Sequence, residues 1–529
     1  MYDLIIKNGL VVSPSSTVKC DVAIQGKKIV GLGTYDEKEA VRTINAEGKY
    51  VMPGVIEAHM HCQAPFQGCL GANSFYEQSV SAAFGGVTMY MDFANMGKGQ
   101  SPYAQALARA DEMKESAIDY SVHGKFVEST PEALADIEKM AEGGIPTFKM
   151  FMTYKKEGVM SDDETMLKVF EKAKEVNGLP MVHCESNAIA ESNIEKCREA
   201  NDMSWVNFAK CKPVLCEAEA FARAVNFAEY VGNALLVVHT TNGEALDTAR
   251  RAHGKGLPIY VETGPHYLTL FDDLYEGENG HLAICSPPLR TPKEAAELWE
   301  GLEDGTILLT GSDDCTFDVD EKSAFLEKNE DGTWKQDFTK VVNGISGIEI
   351  RLPLLLSEGV SKGRISINKV CELTSTNIAK IYGCYPQKGI IAPGSDADIV
   401  LVDMEKEVTL SKEVLHNNIS YCLHDGFRVK GYPVMTISKG KVIVENGEFK
   451  GQQGAGDFIK RKIILLFDVV RTSVAHTEEV KVNIKVEIHN SDFLIRSSLY
   501  INTVFEWFVG VIHKILGFHM IINIDFISR

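Results

Sequence analysis

Between residues 54 and 313 the sequence repeats one alternation eight times, an apolar run of strand length followed by a longer polar connection. The runs are Gly54 to His61, Thr88 to Phe93, Tyr120 to Phe126, Thr147 to Met152, Pro180 to His183, Leu235 to His239, Pro258 to Glu262 and Thr306 to Asp313. Helical patterning fills the connections at Pro102 to Ser116, Pro131 to Glu142, Asp162 to Val176, Glu217 to Tyr230 and Gly243 to Ala252. Strand alternating with helix predicts an α/β fold, and eight repeats predict a (β/α)8 TIM-like barrel. In that fold, chemically active side chains stand at the carboxyl ends of the strands.

The polar residues fall where that rule puts them. Pro53-Gly54 starts the first run cleanly, and His59 and His61 share one side of it because strand side chains alternate. The fifth run ends with His183, the sixth with His239 and the eighth with Asp313. Lys149 interrupts the apolar fourth run, where an unpaired ammonium is costly unless it is neutralised or modified. Six metal-capable groups therefore converge on one barrel mouth. Cys62, Cys184 and Cys315 lie close to these residues, but a small buried thiol in the core is the commoner role. For His123 and His266, near the third and seventh runs, a hydrogen-bonded structural role is expected.

Residues 1–52 read as short strands with tight turns, a small antiparallel β unit that lacks partners. The same pattern returns at Asp396 to Val402 and Pro433 to Glu448, so both ends are expected to build one small β-sandwich beside the barrel. The domains are then 1–52 and 386–462 for the sandwich, 53–385 for the barrel, and a tail, 463–529, of altered composition. A net charge of −19 disfavours nucleic acid and anionic membrane as partners. The start has no basic, apolar leader pattern, and the 12 scattered cysteines fit reduced thiols, so a cytoplasmic protein is expected. Gly451 to Gly456 lacks the Lys-Ser/Thr of a phosphate loop, and no Gly-x-Ser-x-Gly elbow supports a serine hydrolase.

Several motifs in one order resemble dihydropyrimidinases and D-hydantoinases. They are Pro53-Gly54-x-Ile56-Glu57-x-His59-x-His61, Phe148-Lys149-Met150-Phe151-Met152-Thr153-Tyr154, Val182-His183-Cys184-Glu185, Val238-His239, Ser286-Pro287-Pro288-Leu289-Arg290, Gly311-Ser312-Asp313 and Asp337-Phe338-Thr339-Lys340 with Asn343-Gly344. The likeness continues through Leu373 to Asn377 and Pro393 to Asp398 and runs to about residue 462. It implies a cyclic amidohydrolase with two zinc ions. His59, His61 and Asp313 would bind one and His183 and His239 the other, with carbamylated Lys149 (N6-carboxylysine) and a hydroxide bridging them. The resemblance further implies that the hydroxide attacks a ring amide carbon, that Asp313 shuttles the proton and that Tyr154 donates to the oxyanion. Ser286 and Asn343 would hold the cyclic ureide, and a homotetramer is implied as the assembly.

Departures from the pattern qualify it. Glu57 stands where Asp is usual and is expected behind the ligands. Asp314 follows Asp313 as an extra carboxylate, with a solvated loop as its commoner fate. Phe66, Leu70, Met96, Phe151 and Met152 are candidate pocket walls, core packing being the commoner role for the last two. The tail from 463 matches nothing in the family, and its interrupting charges argue against a membrane span. A non-catalytic relative of the scaffold type, or another cyclic amidohydrolase such as an allantoinase or dihydroorotase, remains the alternative reading.

Overall fold

The computed structural model describes residues 1–66 and 68–463. Its central element is an eight-stranded parallel sheet of Val55–Met60, Val87–Phe93, Asp119–Lys125, Thr147–Phe151, Leu179–His183, Leu235–Val237, Ile259–Thr263 and Leu309–Thr310. The strands neighbour one another in chain order, each parallel to the next. The first and last also meet. Met60 forms a parallel bridge with Asp314, and the His61 amide donates to the Asp314 carbonyl at 2.7 Å. Arg351 joins the same two edges from below, donating to the Ile56 carbonyl at 2.7 Å and to the Thr310 carbonyl, with Glu57 3.1 Å from its Nε. The sheet is thus curled in the manner expected of a barrel.

Because a parallel sheet under helices is covered on both faces, its strands are continuously apolar. The first and second strands are buried at every position. Alternation then divides their side chains between two cores. Ile56, Met89, Met91, Met181, Leu236 and Tyr260 fall in one apolar cluster, while Val55, Tyr90, Val182 and Val237 pack in another with the helix residues Ile137, Val169 and Phe221. The helices carry their own start signals. Pro131–Glu142 opens with proline in its first turn, and Thr130 accepts the Ala133 amide as its cap.

The chain ends meet in a separate nine-stranded sheet. Tyr2–Val12, Thr17–Gln25, Lys28–Gly33, Ala40–Asn45 and Tyr50–Pro53 come from the start, and Ile399–Thr409, Arg428–Ser438, Lys441–Glu445 and Glu448–Phe449 from the end. The seam is Tyr50–Pro53, antiparallel to Ile399–Thr409. This sheet is mixed, which corrects the antiparallel expectation for residues 1–52. Tyr2–Val12 runs parallel to both Ala40–Asn45 and Tyr50–Pro53. One of these partners, Ala40–Asn45, is an unforeseen strand, in which only Ile44 is buried and which therefore lacks an apolar signature.

Lys388 ties the two sheets together. Its buried ammonium lies 2.6 Å from Asp119, where the third barrel strand begins, and 2.5 and 3.0 Å from Asp398 and Asp396. Gly54 has a steric role at the seam, since a Cβ there would sit 2.1 Å from Thr88 Oγ1. Among the described residues no helix is long and apolar enough to cross a membrane. The expectations for the tail lie outside the described residues, save that Ile463 is buried.

Candidate active site

Every ligand position expected from the sequence reaches the carboxyl end of the parallel sheet. His59, buried on the first strand, places Nε2 3.1 Å from Asp313 Oδ1, and His61 Nε2 lies 3.4 Å from the same oxygen. These three side chains offer ligand atoms that all lie within 4.8 Å of one another. The His183 and His239 rings lie 4.4 Å apart, and His239 is 5.3 Å from His59. Two of the positions are strained. His239 and Asp313 adopt φ of 36° and 49° just beyond strands six and eight, a region non-glycine residues rarely occupy. Gly311 relieves crowding here, because a Cβ would come within 2.9 Å of both Glu262 and His59.

The donor set suits a metal centre. Lys149 Nζ and His239 Nδ1 are buried and make no hydrogen bond. Orphaned polar atoms are costly unless something absent from a bare polypeptide satisfies them. Burial lowers the pKa of His61 to about 4, and lowers those of His183 and His239, leaving lone pairs available for ligation. Burial likewise lowers Lys149 to about 8. For Asp313 burial acts against the charge, but His59 and His61 overcome it and keep the carboxyl ionised.

Two carboxylates orient the imidazoles, and the sequence reading gave neither this role. Glu262 Oε1 lies 2.5 Å from His59 Nδ1 and accepts the His239 amide at 3.2 Å. Glu185 Oε2 lies 2.7 Å from His183 Nε2 and accepts from Lys212 at 2.9 Å. Burial opposes the Glu185 charge, yet Lys212 and His183 hold its pKa at about 2. The signal was local, since Glu185 follows His183 by two residues at a strand end and Glu262 occupies the seventh. Such partners fix the tautomer of a ligating histidine.

Tyr154, Ser286 and Asn343 form the opposite wall. Tyr154, at φ 66°, has Ser286 and Asn343 as hydrogen-bonding neighbours, and burial raises its phenol to about 12. Asn343 Nδ2 donates to Ser286 Oγ at 3.4 Å, and Lys212 donates to the same hydroxyl at 2.8 Å. These residues, His61, His183, His239 and Asp313 line a cavity of about 140 Å³. Phe66 and Phe151 also line it, whereas Leu70 is exposed and Met96 and Met152 are buried away from it. The expected core role of Phe151 is therefore corrected, because its half-buried ring closes the fourth strand at the mouth.

Other expectations also resolve. Glu57 lies behind the ligands as foreseen, but it accepts the His59 and Ser312 amides and pairs with Arg351 rather than touching a ligand ring. Asp314 is neither solvated nor among the three clustered ligands. It is buried and accepts from Gln78, Thr316 and the amides of Gly347 and Ile348, fixing the loop behind Asp313. His123 is structural, with Thr147 Oγ1 at 2.7 Å and the Ala58 carbonyl at 3.0 Å. His266 is buried against Tyr267, and its Nε2 makes no hydrogen bond, contrary to the bonded role expected. Cys62 and Cys184 point their thiols at the carbonyls of Asn73 and Val182, and neither they nor Cys315 belongs to the ligand cluster.

Comparison with known proteins gives the chain its relatives. Residues 50–443 match the sequence profile of the Amidohydrolase family. The D-hydantoinase of Geobacillus stearothermophilus is 36% identical over 462 residues, 86% of this chain and 96% of that protein. The D-phenylhydantoinase of Escherichia coli is 36% identical over 463 residues, 87% of this chain and 98% of that protein. The crystal structure of dihydropyrimidinase from Brevibacillus agri superposes with a TM-score of 0.84 at 35% identity, covering 88% of this chain and 100% of that one.

Proposed function

Because the chain belongs to the amidohydrolase family and is a cyclic amidohydrolase, we propose that it opens a cyclic ureide, a 5,6-dihydropyrimidine or a 5-substituted hydantoin, to an N-carbamoyl amino acid. One observation carries the reading. His61, His183, His239 and Asp313 line one cavity with Tyr154, Ser286 and Asn343, and behind them lie His59 and the amine of Lys149, which makes no hydrogen bond. His59, His61 and Asp313 would hold one zinc ion and His183 and His239 a second, and Lys149, as its carbamate, would add anionic oxygens to the set. A pKa near 8 gives Lys149 access to the free amine that adds carbon dioxide, and the resulting anion suits a cation site where an ammonium does not. When bound, the metal pair supplies polarisation of the ring carbonyl and an acidified water.

The chain's own residues do the rest. Asp313 takes one proton from the attacking water and returns it to the ring nitrogen as the C–N bond breaks. The water oxygen stays on the carbonyl carbon, so ring opening consumes one water and nothing else. The Tyr154 phenol donates to the carbonyl oxygen as negative charge develops there. Ser286 and Asn343 hold the ureide edge. Glu262 and Glu185 keep His59 and His183 turned to the centre. The β-sandwich form of the accessory sheet, the cytoplasmic location and the homotetramer belong to the same reading. The sheet's own apolar cluster, including Leu4, Val22, Val51 and Ile399, supports the first.

Ring opening of dihydrouracil, hydantoin and 5-phenylhydantoin, with metal content determined on the same protein, tests the proposal. Turnover of at least one ring with about two zincs per chain is expected. Metal-replete protein inert toward all three would refute it.

A further inference from the structure

The active-site cavity holds one charge that the reaction above does not use. Lys125 ends the third barrel strand, beside Lys149 in the sheet register, and lines the cavity with Phe66, Phe93, Asn95 and Phe151. Among the described residues no carboxylate lies within ion-pair distance of its ammonium and no hydrogen bond engages it. The Phe151 ring, 5.2 Å away, is its one recorded partner. The other lysine at the mouth, Lys212, is satisfied by Glu185 and Ser286. Burial lowers the Lys125 pKa to about 8, a sign of how poorly its charge is compensated. The reading above commits the Lys149 carbamate and Asp313 to the metal pair, so this cation has no anion of its own, a cost unless the ligand brings one.

Resting on the ring-opening reading above, we propose that Lys125 determines specificity by binding a carboxylate on the substituent of the cyclic ureide, so that acidic cyclic ureides are the preferred substrates. The placement supports this. Lys125 Nζ and Lys149 Nζ lie over the same Phe151 ring, at 5.2 and 5.0 Å, and Lys125 lines the cavity with Phe93 and Asn95, so an acidic arm on the ring would meet the ammonium beside the histidine cluster. The aromatic rings suit one or two methylenes, the ammonium suits a terminal carboxylate, and about 140 Å³ admits a single ring with a short arm.

The test compares hydantoin-5-acetic acid with hydantoin-5-acetamide, its neutral near-isostere, on the zinc-loaded enzyme. A charge-assisted contact predicts a kcat/KM ratio of about 10 to 100 in favour of the acid. Lys125→Met should bring that ratio to about 1, mainly through KM, and Lys125→Arg should keep part of it. Equal rates on acid and amide in the wild type, a measurement that needs no variant, would overturn the inference while leaving ring opening intact. An unchanged ratio in a folded Lys125→Met enzyme would do the same. Loss of zinc in that variant, with the ratio retained on the loaded fraction, would assign Lys125 to the neighbouring Lys149 instead and also overturn it. Metal-replete wild type inert toward both compounds and toward the three neutral rings would sink the ring-opening reading, and this inference with it.

Discussion

Tyr154 pays for its place with a left-handed backbone, and what it gains is a phenol aimed into the cavity beside Ser286 and Asn343. Tyr154→Phe should lower kcat by about 10²- to 10³-fold with little change in KM, as loss of one oxyanion donor does. Burial raises the phenol to about 12, so its proton stays on as pH climbs from 7 to 10. The rate profile of the wild type should accordingly show no alkaline loss from this group in that range, and a Tyr154-dependent fall near pH 9 would contradict its assigned state. Asp313→Asn should abolish ring opening while the circular dichroism spectrum stays native. Near-normal turnover in that variant would remove Asp313 from the proton path.

Strands deliver the candidate ligands, and nearby carboxylates aim them. His59 is steered by Glu262 from the seventh strand, and His183 by Glu185 just beyond its own. Glu262→Gln and Glu185→Gln should each weaken zinc binding by about 10- to 100-fold, read by chelator competition. Arg351 acts on the strands themselves, clasping the Ile56 and Thr310 carbonyls and neutralising Glu57 with no solvent exposure. Arg351→Met would leave a buried carboxylate alone and open the join between the first and last strands. A loss of about 3–5 kcal/mol in urea unfolding is expected, and a loss below about 1 kcal/mol would show that the Met60–Asp314 bridge closes the sheet unaided.

For the whole molecule, the proposed centre would be a cross-link as well as a catalyst, since the candidate ligands come from strands one, four and five and from the segments after strands one, six and eight. Removing zinc should therefore lower the melting temperature, and zinc with bicarbonate should restore it. At free metal a thousand times Kd the stabilisation is about 4 kcal/mol, and a melting curve indifferent to chelation would argue against a metal held in this cage. The strand–helix alternation, the His59-x-His61 pair, Lys149, His183, His239 and Asp313 were all legible in the sequence, because apolar periodicity and strand-end position are local properties. So was the joining of the chain's two ends, from matching strand patterns. The partners were not legible. Glu262 meets His59 across 203 positions, Lys388 meets Asp119 across 269, and Arg351 meets Ile56 across 295. The parallel return of Ala40–Asn45 and the empty-handed ammonium of Lys125 were equally hidden. The sequence by itself determined the strand–helix alternation and the candidate ligand residues. Which charges are paired, and which is left facing the cavity, was decided only by the tertiary structure, since pairing depends on distances between residues far apart in the chain and no local pattern encodes them.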